Sequence, residues 1–198
     1  MKFYFPLNTQ AIKNKYKMKE ILVVLITIAF LGCNPSGDSS LKTMAINNPN
    51  TQLKKLGITL PSPSAPVANY VNIVRSGNLL FLSGKGPKKL DGTYIKGKLG
   101  LDLTIEQGYE AARITGINQI AVLKAELGDL NKVKRIVKVL GMVNASADFQ
   151  DQPKVINGFS DLMVEVFGDR GKHARSAVGM CSLPSGIAVE IEVIVEIE

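Results

Sequence analysis

The chain has 198 residues, 45 % of them hydrophobic and 21 % charged, the balance of one globular domain with a short appendage and too apolar for a disordered chain. Two Cys and one His exclude a disulfide-built scaffold and most zinc sites, which need three or four such ligands. The formal charge of +7 falls to +3 once the N-terminal segment is set aside, which is no electrostatic footprint for nucleic acid.

That segment reads as an export signal. Lys13, Lys15, Lys17 and Lys19 precede an uncharged apolar run from Ile21 to Phe30. The run is too short to cross a bilayer, which takes about 20 residues, and a basic stretch before such a run is the pattern of a signal peptide. It closes on Phe30-Leu31-Gly32-Cys33, which resembles a bacterial lipobox, cleaved before Cys33 and acylated on its thiol; Phe30 and Leu31 depart from the commonest form. Met18 is a natural start for a compact signal. Losing Lys2, Lys13, Lys15, Lys17 and Lys19 against Glu20 accounts for the drop from +7 to +3. The expected organisation is a signal peptide over 1–32, a lipidated Cys33 with a flexible tether over 33–52, and one domain over 53–198, anchored in the cell envelope.

Within the domain, Gln52 to Gly57 reads as a short helical turn closed by Gly. Pro61 to Pro66, with three prolines, can be neither helix nor central strand and reads as an extended lead-in loop. Tyr70–Val74 and Leu79–Leu82, parted by Ser76-Gly77-Asn78, read as a hairpin, and Tyr94–Lys98 as a third strand after the Asp91-Gly92 turn. Thr104-Ile105-Glu106-Gln107 is a capping box. It opens a helix with Tyr109, Ala112, Gly116, Ile120, Leu123 and Leu127 at helical spacing, stopping near Gly128. Val133–Val143 is a β-branched strand. Asp151 caps a second helix, with Pro153 in its first turn; Ile156, Phe159, Met163 and Val166 form its inner stripe. Arg175–Ser182 and Ile187–Glu198 are the last strands.

The order β-β-β-α-β-α-β-β gives an α+β fold with two helices on one face of a sheet. The other face carries Ile136, Leu140, Met142 and Ile194 among charged residues, so it is not clearly polar, and oligomerisation through it is expected, most cheaply as a closed ring. Lys132, Lys134, Arg135 and Lys138 alternate with apolar residues and read as the wet side of a strand.

Most catalytic patterns are absent. Ser83-Gly84-Lys85-Gly86-Pro87-Lys88 lacks the spacing of a phosphate loop. His173 sits in the polar loop 169–173 and reads as exposed, and Cys181 as a small core residue. Arg175, at the start of a strand, and Glu190, in Val189-Glu190-Ile191-Glu192, remain. Glu190, Glu192, Glu196 and Glu198 share one parity, so on periodicity alone they are equally the wet side of an amphipathic strand.

Tyr70-Val71, Ser76 to Gly84, Leu127-Gly128-Asp129-Leu130, Ala174 to Val178, Leu183-Pro184-Ser185-Gly186 and Val189-Glu190-Ile191-Glu192 together resemble the RidA/YjgF family of enamine and imine deaminases, once labelled endoribonucleases. The resemblance spans about 53–198. It implies a chorismate-mutase-like subunit and a homotrimer, with sheets packed into a central barrel and sites at the subunit interfaces. It also implies roles: Arg175 binds the substrate carboxylate, Glu190 positions water, Tyr70 closes the pocket, Asn157 is a pocket asparagine, and the Ser83-Gly84 backbone lines the site. Ala177 stands where many members carry Cys. No metal or organic cofactor is implied. The expected activity is hydrolysis of 2-imino or 2-enamino acids such as 2-iminobutyrate and 2-iminopropionate to 2-oxo acids and ammonia. A non-catalytic trimeric binder of small carboxylates in the cell envelope is the alternative. An endoribonuclease has thin support, from a +3 domain with one loop His and few aromatics.

Overall fold

The computed structural model describes residues 48–66 and 68–198. The expected signal peptide, Cys33 and most of the tether lie outside the described residues. Helix α1, Pro49–Lys55, begins within the segment expected to be tether. Its start is fixed chemically: the Asn48 side chain accepts from the backbone N–H groups of Asn50 (3.0 Å) and Thr51 (3.3 Å), donors the first turn cannot satisfy itself.

Strands β1, Ile73–Ser76, and β2, Leu79–Lys85, form the expected hairpin. Gly77, first in its two-residue turn, has φ 58°, which glycine alone adopts without strain. Helix α2, Ile105–Leu127, opens with the capping box. The Thr104 N–H donates to Gln107 Oε1 (2.9 Å) and the Gln107 N–H to Thr104 Oγ1 (3.3 Å). Strand β3, Val133–Asn144, follows, then helix α3, Gln152–Phe167, strand β4, Ala174–Met180, and strand β5, Val189–Ile197. Asp151 occupies the N-cap of α3 without donating or accepting a side-chain cap bond; its carboxylate pairs with Lys154 at 3.0 Å instead.

The sheet runs β1-β2-β5-β3-β4. Only β3 and β4 are parallel, joined through α3; the other neighbours are antiparallel. Among the described residues five strands form rather than six. The segment expected as a third strand makes single bridges, Lys88 with Tyr94 and Lys96 with Ile187. Pro87 lacks a donor, and Gly97, at φ 128°, turns the chain out of the extended region. The excursion therefore stays outside the ladder.

Both long helices cover one face. Leu80 and Leu82 of β2, Val139 and Val143 of β3, and Ile191, Val193 and Val195 of β5 are buried there with Ile120 and Leu123 of α2 and Phe159 and Met163 of α3. Ile136 belongs to this core and not to the opposite face. Register shifts on either side of it, between Val133 and Arg135 and between Ile136 and Lys138, invert the parity that simple alternation assigns. Among the described residues no helix lies on the opposite face. It carries Phe81, Leu140, Met142, Val178, Met180 and Ile194, with Glu190, Glu192 and Glu196 along β5.

The helices meet at Gly158. A Cβ there would lie 2.0 Å from the Tyr109 carbonyl oxygen, a backbone atom of α2. Backbone cannot swing aside as a side chain can. Gly158→Ala is therefore expected to cost about 3 kcal/mol, the upper end of ordinary overpacking, read as a lowered urea midpoint at unchanged m-value.

Candidate functional site

The residues singled out in the sequence fall into two groups. Glu190, Tyr70 and Gly84 line one cleft of about 790 Å³, bounded by the lead-in loop at 61–65, the 84–96 excursion and the Pro184–Ile187 turn. Arg175 and Asn157 lie elsewhere, on β4 and α3.

The cleft exists because β2 bulges. The β2–β5 register shifts between Leu82 and Lys85, which removes two carbonyls from the ladder. Buried Gln119 of α2 answers them: its Nε2 donates to the Ser83 carbonyl (3.0 Å) and the Ile191 carbonyl (2.7 Å). Ser83 is committed to scaffolding, its Oγ donating to the Val71 carbonyl (2.7 Å) and its N–H to the Asn72 carbonyl (3.0 Å). It thereby holds the strand leading from Tyr70. A Cβ on Gly84 would stand 2.2 Å from Glu190 Oε1, so only glycine leaves the carboxyl its place. Burial, and then the neighbouring Glu192 charge, push the Glu190 pKa above the usual carboxylate range. A carboxyl poised this way exchanges protons nearer neutrality than a surface glutamate does.

Arg175 sits on the edge strand. Its Nη1 donates to Asn157 Oδ1 (2.9 Å) and to Ser160 Oγ (3.0 Å), both on α3. Among the described residues no carboxylate pairs with it. A guanidinium held by neutral oxygens, without a counter-ion, keeps its planar fork available for a carboxylate. Asn157 thus holds the arginine.

His173, expected to be exposed in a polar loop, is placed differently by the structure. The 3-10 turn Gly168–Gly171 curls the loop back onto α3, so the imidazole is half-buried, edge-on to Phe159 with ring centroids 6.2 Å apart. Its Nδ1 lies 2.6 Å from the Gly171 carbonyl and its Nε2 3.0 Å from Ser160 Oγ. A carbonyl only accepts, which assigns the proton to Nδ1. Nε2 then accepts from the Ser160 hydroxyl, whose oxygen accepts from Arg175. The three groups form one directed chain that sets the fork. Burial, with the Arg175 charge behind it, lowers the His173 pKa and keeps the ring neutral. Below about pH 6.5, the ordinary value, the unfolded chain binds a proton that the folded one refuses, so stability falls as pH falls through this window. Thermal melts between about pH 5 and 7 are expected to show that slope, and His173→Gln, which cannot titrate, to lose it.

Cys181, expected in the core, is exposed; it follows β4 on an edge whose last residues, Val178 to Met180, are exposed as well.

Arg175 and Glu190 of one protomer do not meet. β3 separates their strands. Arg175 pairs in register with Val139 and Glu190 with Met142; three residues apart on an unbulged stretch, these point to opposite faces. The fork stands beside α3, and the carboxyl belongs to the bare face.

Residues 50–194 match the family model described as YjgF/chorismate-mutase-like endoribonuclease. Protein TCP17 of Trypanosoma cruzi is 47 % identical over 146 residues, covering 73 % of this chain and 91 % of its own length. The crystal structure of Atu1372 from Agrobacterium tumefaciens is 43 % identical with a TM-score of 0.71, covering 76 % of this chain and 92 % of that one. RidA from an Antarctic Psychrobacter is 25 % identical with a TM-score of 0.50, covering 70 % and 96 %.

Proposed function

The chain belongs to the YjgF/RidA-like family, and from that premise we propose that it is a hydrolytic deaminase of 2-imino and 2-enamino acids, working as a homotrimer. The observation that carries this reading is the Glu190 carboxyl, half-buried in the cleft against Gly84 with its pKa held up by burial.

Arg175 grips the substrate carboxylate through two parallel bonds and so fixes the C=N carbon. Glu190 orients a water beside that carbon. As the water oxygen bonds to carbon, Glu190 takes its proton and returns it to the nitrogen. Glu190 then carries the carbinolamine's hydroxyl proton to its amino group, and ammonia leaves as the C–N bond breaks and the C=O bond forms, giving a 2-oxo acid. Tyr70 covers the cleft mouth. Free imines already hydrolyse in water, so positioning supplies much of the acceleration.

Because the fork and the carboxyl of one protomer face apart, a complete site needs two protomers. The bare face favours such an assembly: Phe81 and Val178, each about two-fifths exposed at 42 % and 39 %, share it with Leu140, Met142 and Ile194. Burying it in a ring covers apolar surface. Light scattering is expected to give three times the protomer mass. The leader extends the reading: acylation of Cys33 would tether this trimer to the cell envelope, and detergent-phase partition lost in Cys33→Ser is the expected result, with equal partition of both forms opposing it.

The function is tested by supplying 2-iminobutyrate in situ, from its amino acid and an amino-acid oxidase, and following 2-oxobutyrate. Release faster than the spontaneous rate and than an Arg175→Ala control is expected. Release no faster than either rejects the deaminase; saturable binding without turnover makes the protein a carboxylate binder.

A further inference from the structure

The cleft that holds Glu190 is strongly cationic along its other wall. Lys85 and Lys88 are both half-buried there, with Lys89 and Lys96 exposed at its margin. The two inner lysines hang on one bracket. Lys85 Nζ donates to Asn72 Oδ1 (2.6 Å), Asn72 Nδ2 to the Ser64 carbonyl (3.1 Å), and Lys88 Nζ to Ser64 Oγ (3.0 Å). Asn118 of α2 fixes the backbone between them, its Nδ2 donating to the carbonyls of Gly86 (3.0 Å) and Lys88 (3.1 Å). Both ammonium groups are therefore positioned rather than loose.

Neither lysine pairs with a carboxylate among the described residues. The one acid on the described lining is Glu190. An ammonium has three donors, and each of these spends one on a neutral oxygen. Partly desolvated charge without a counter-ion is costly, and burial accordingly lowers the Lys85 pKa, a displacement that a bound anion would oppose. Simple 2-imino acids carry one carboxylate, which the Arg175 fork takes. They leave the lysine bracket unmatched.

Resting on the deaminase reading, we propose that the cleft is built for acids with a second anionic group, a carboxylate or a phosphate, which seats between Lys85 and Lys88 while Arg175 of the neighbouring protomer holds the first. Lysine acts as a point charge and accepts either group, without the planar match that arginine demands.

Stable 2-oxo acids separate binding from turnover. Calorimetric titration of the purified protein with 2-oxoglutarate, 3-phosphohydroxypyruvate and 2-oxovalerate compares two acids with two anionic groups, dianions in that sense although the phosphate itself carries up to two charges, with a simple monoanion; 2-oxovalerate has the carbon count of 2-oxoglutarate and lacks its second carboxylate. At least one dianion is expected to bind tenfold or more tighter than 2-oxovalerate. That ratio falls towards one in the Lys85→Gln/Lys88→Gln double variant, which removes both charges and keeps polar side chains, and survives in Lys85→Arg. Whichever dianion wins identifies the second group. Equal binding of all three acids, no binding of any, or a ratio intact in the double variant overturns the proposal. Turnover of the matching imines keeps the two readings apart. Hydrolysis of 2-iminovalerate with no preference for 2-iminoglutarate or the phosphorylated imine sinks the dianion site and leaves the deaminase. Tight dianion binding with no turnover of any imine does the reverse.

Discussion

Arg175→Ala is expected to lower kcat/KM for 2-iminobutyrate by about 10²- to 10³-fold, the usual loss when one partner of a hydrogen-bonded charge pair is removed from a binding site. The fold should survive with a modest loss of stability. Arg175 lies on an edge strand, and the substitution forfeits two hydrogen bonds to neutral α3 oxygens, worth about 1 kcal/mol each. Arg175→Lys should recover little, because an ammonium cannot form two parallel bonds to one carboxylate. Steady-state kinetics beside a thermal melt makes the check. A variant that melts like the parent and keeps its rate removes the fork from the mechanism.

Glu190→Gln is the second large effect. It keeps the shape of the side chain beside Gly84 and removes the proton acceptor, so kcat should fall by about 10²- to 10⁴-fold. The acid limb of the wild-type kcat/KM profile should lie above the ordinary glutamate value of about 4.3, since burial and Glu192 both push in that direction. The limb should vanish in the variant. Stability moves the other way. A raised folded-state pKa means that the folded protein holds the Glu190 proton more tightly than the unfolded chain does, and this contribution is lost as pH rises through the folded value. Near pH 8 the buried charge is then a burden, and Glu190→Gln should melt higher than the parent. Loss of activity with gain of stability from one substitution is the signature of a carboxyl kept for function at a cost in stability.

Much of the fold was written in local signals. The capping box Thr104–Gln107, the Ser76–Leu79 turn and the α3 stripe of Ile156, Phe159, Met163 and Val166 depend on neighbours within a turn or two, and each formed where its residues indicated. What the sequence withheld depends on register or on distant partners. Ile136 crossed to the core because a bulge leaves no mark in a period-two pattern. The Tyr94–Lys98 excursion alternates like a strand, yet lacks a partner able to pair with it beyond single bridges. His173 lay in a polar loop, and only the turn at Gly168–Gly171 folds it against Ser160. Gln119 gave no signal, since its role arises from a bulge in another element. For the site, likeness to a family picked out Arg175 and Glu190. Their placement on opposite faces follows from β3–β4 and β3–β5 register, which no single-strand periodicity encodes.

Subunit complementation tests the shared site most directly. Arg175→Ala and Glu190→Gln protomers are each expected to be all but inactive as pure assemblies. Unfolded together and refolded in equal amounts, they should form mixed rings in which some interfaces join an intact Arg175 to an intact Glu190. The expected result is a return of activity to about a quarter of the wild-type value, the share of such interfaces under random closed assembly. Mixtures that exchange protomers and stay as inactive as their parents would contradict a site built across two chains.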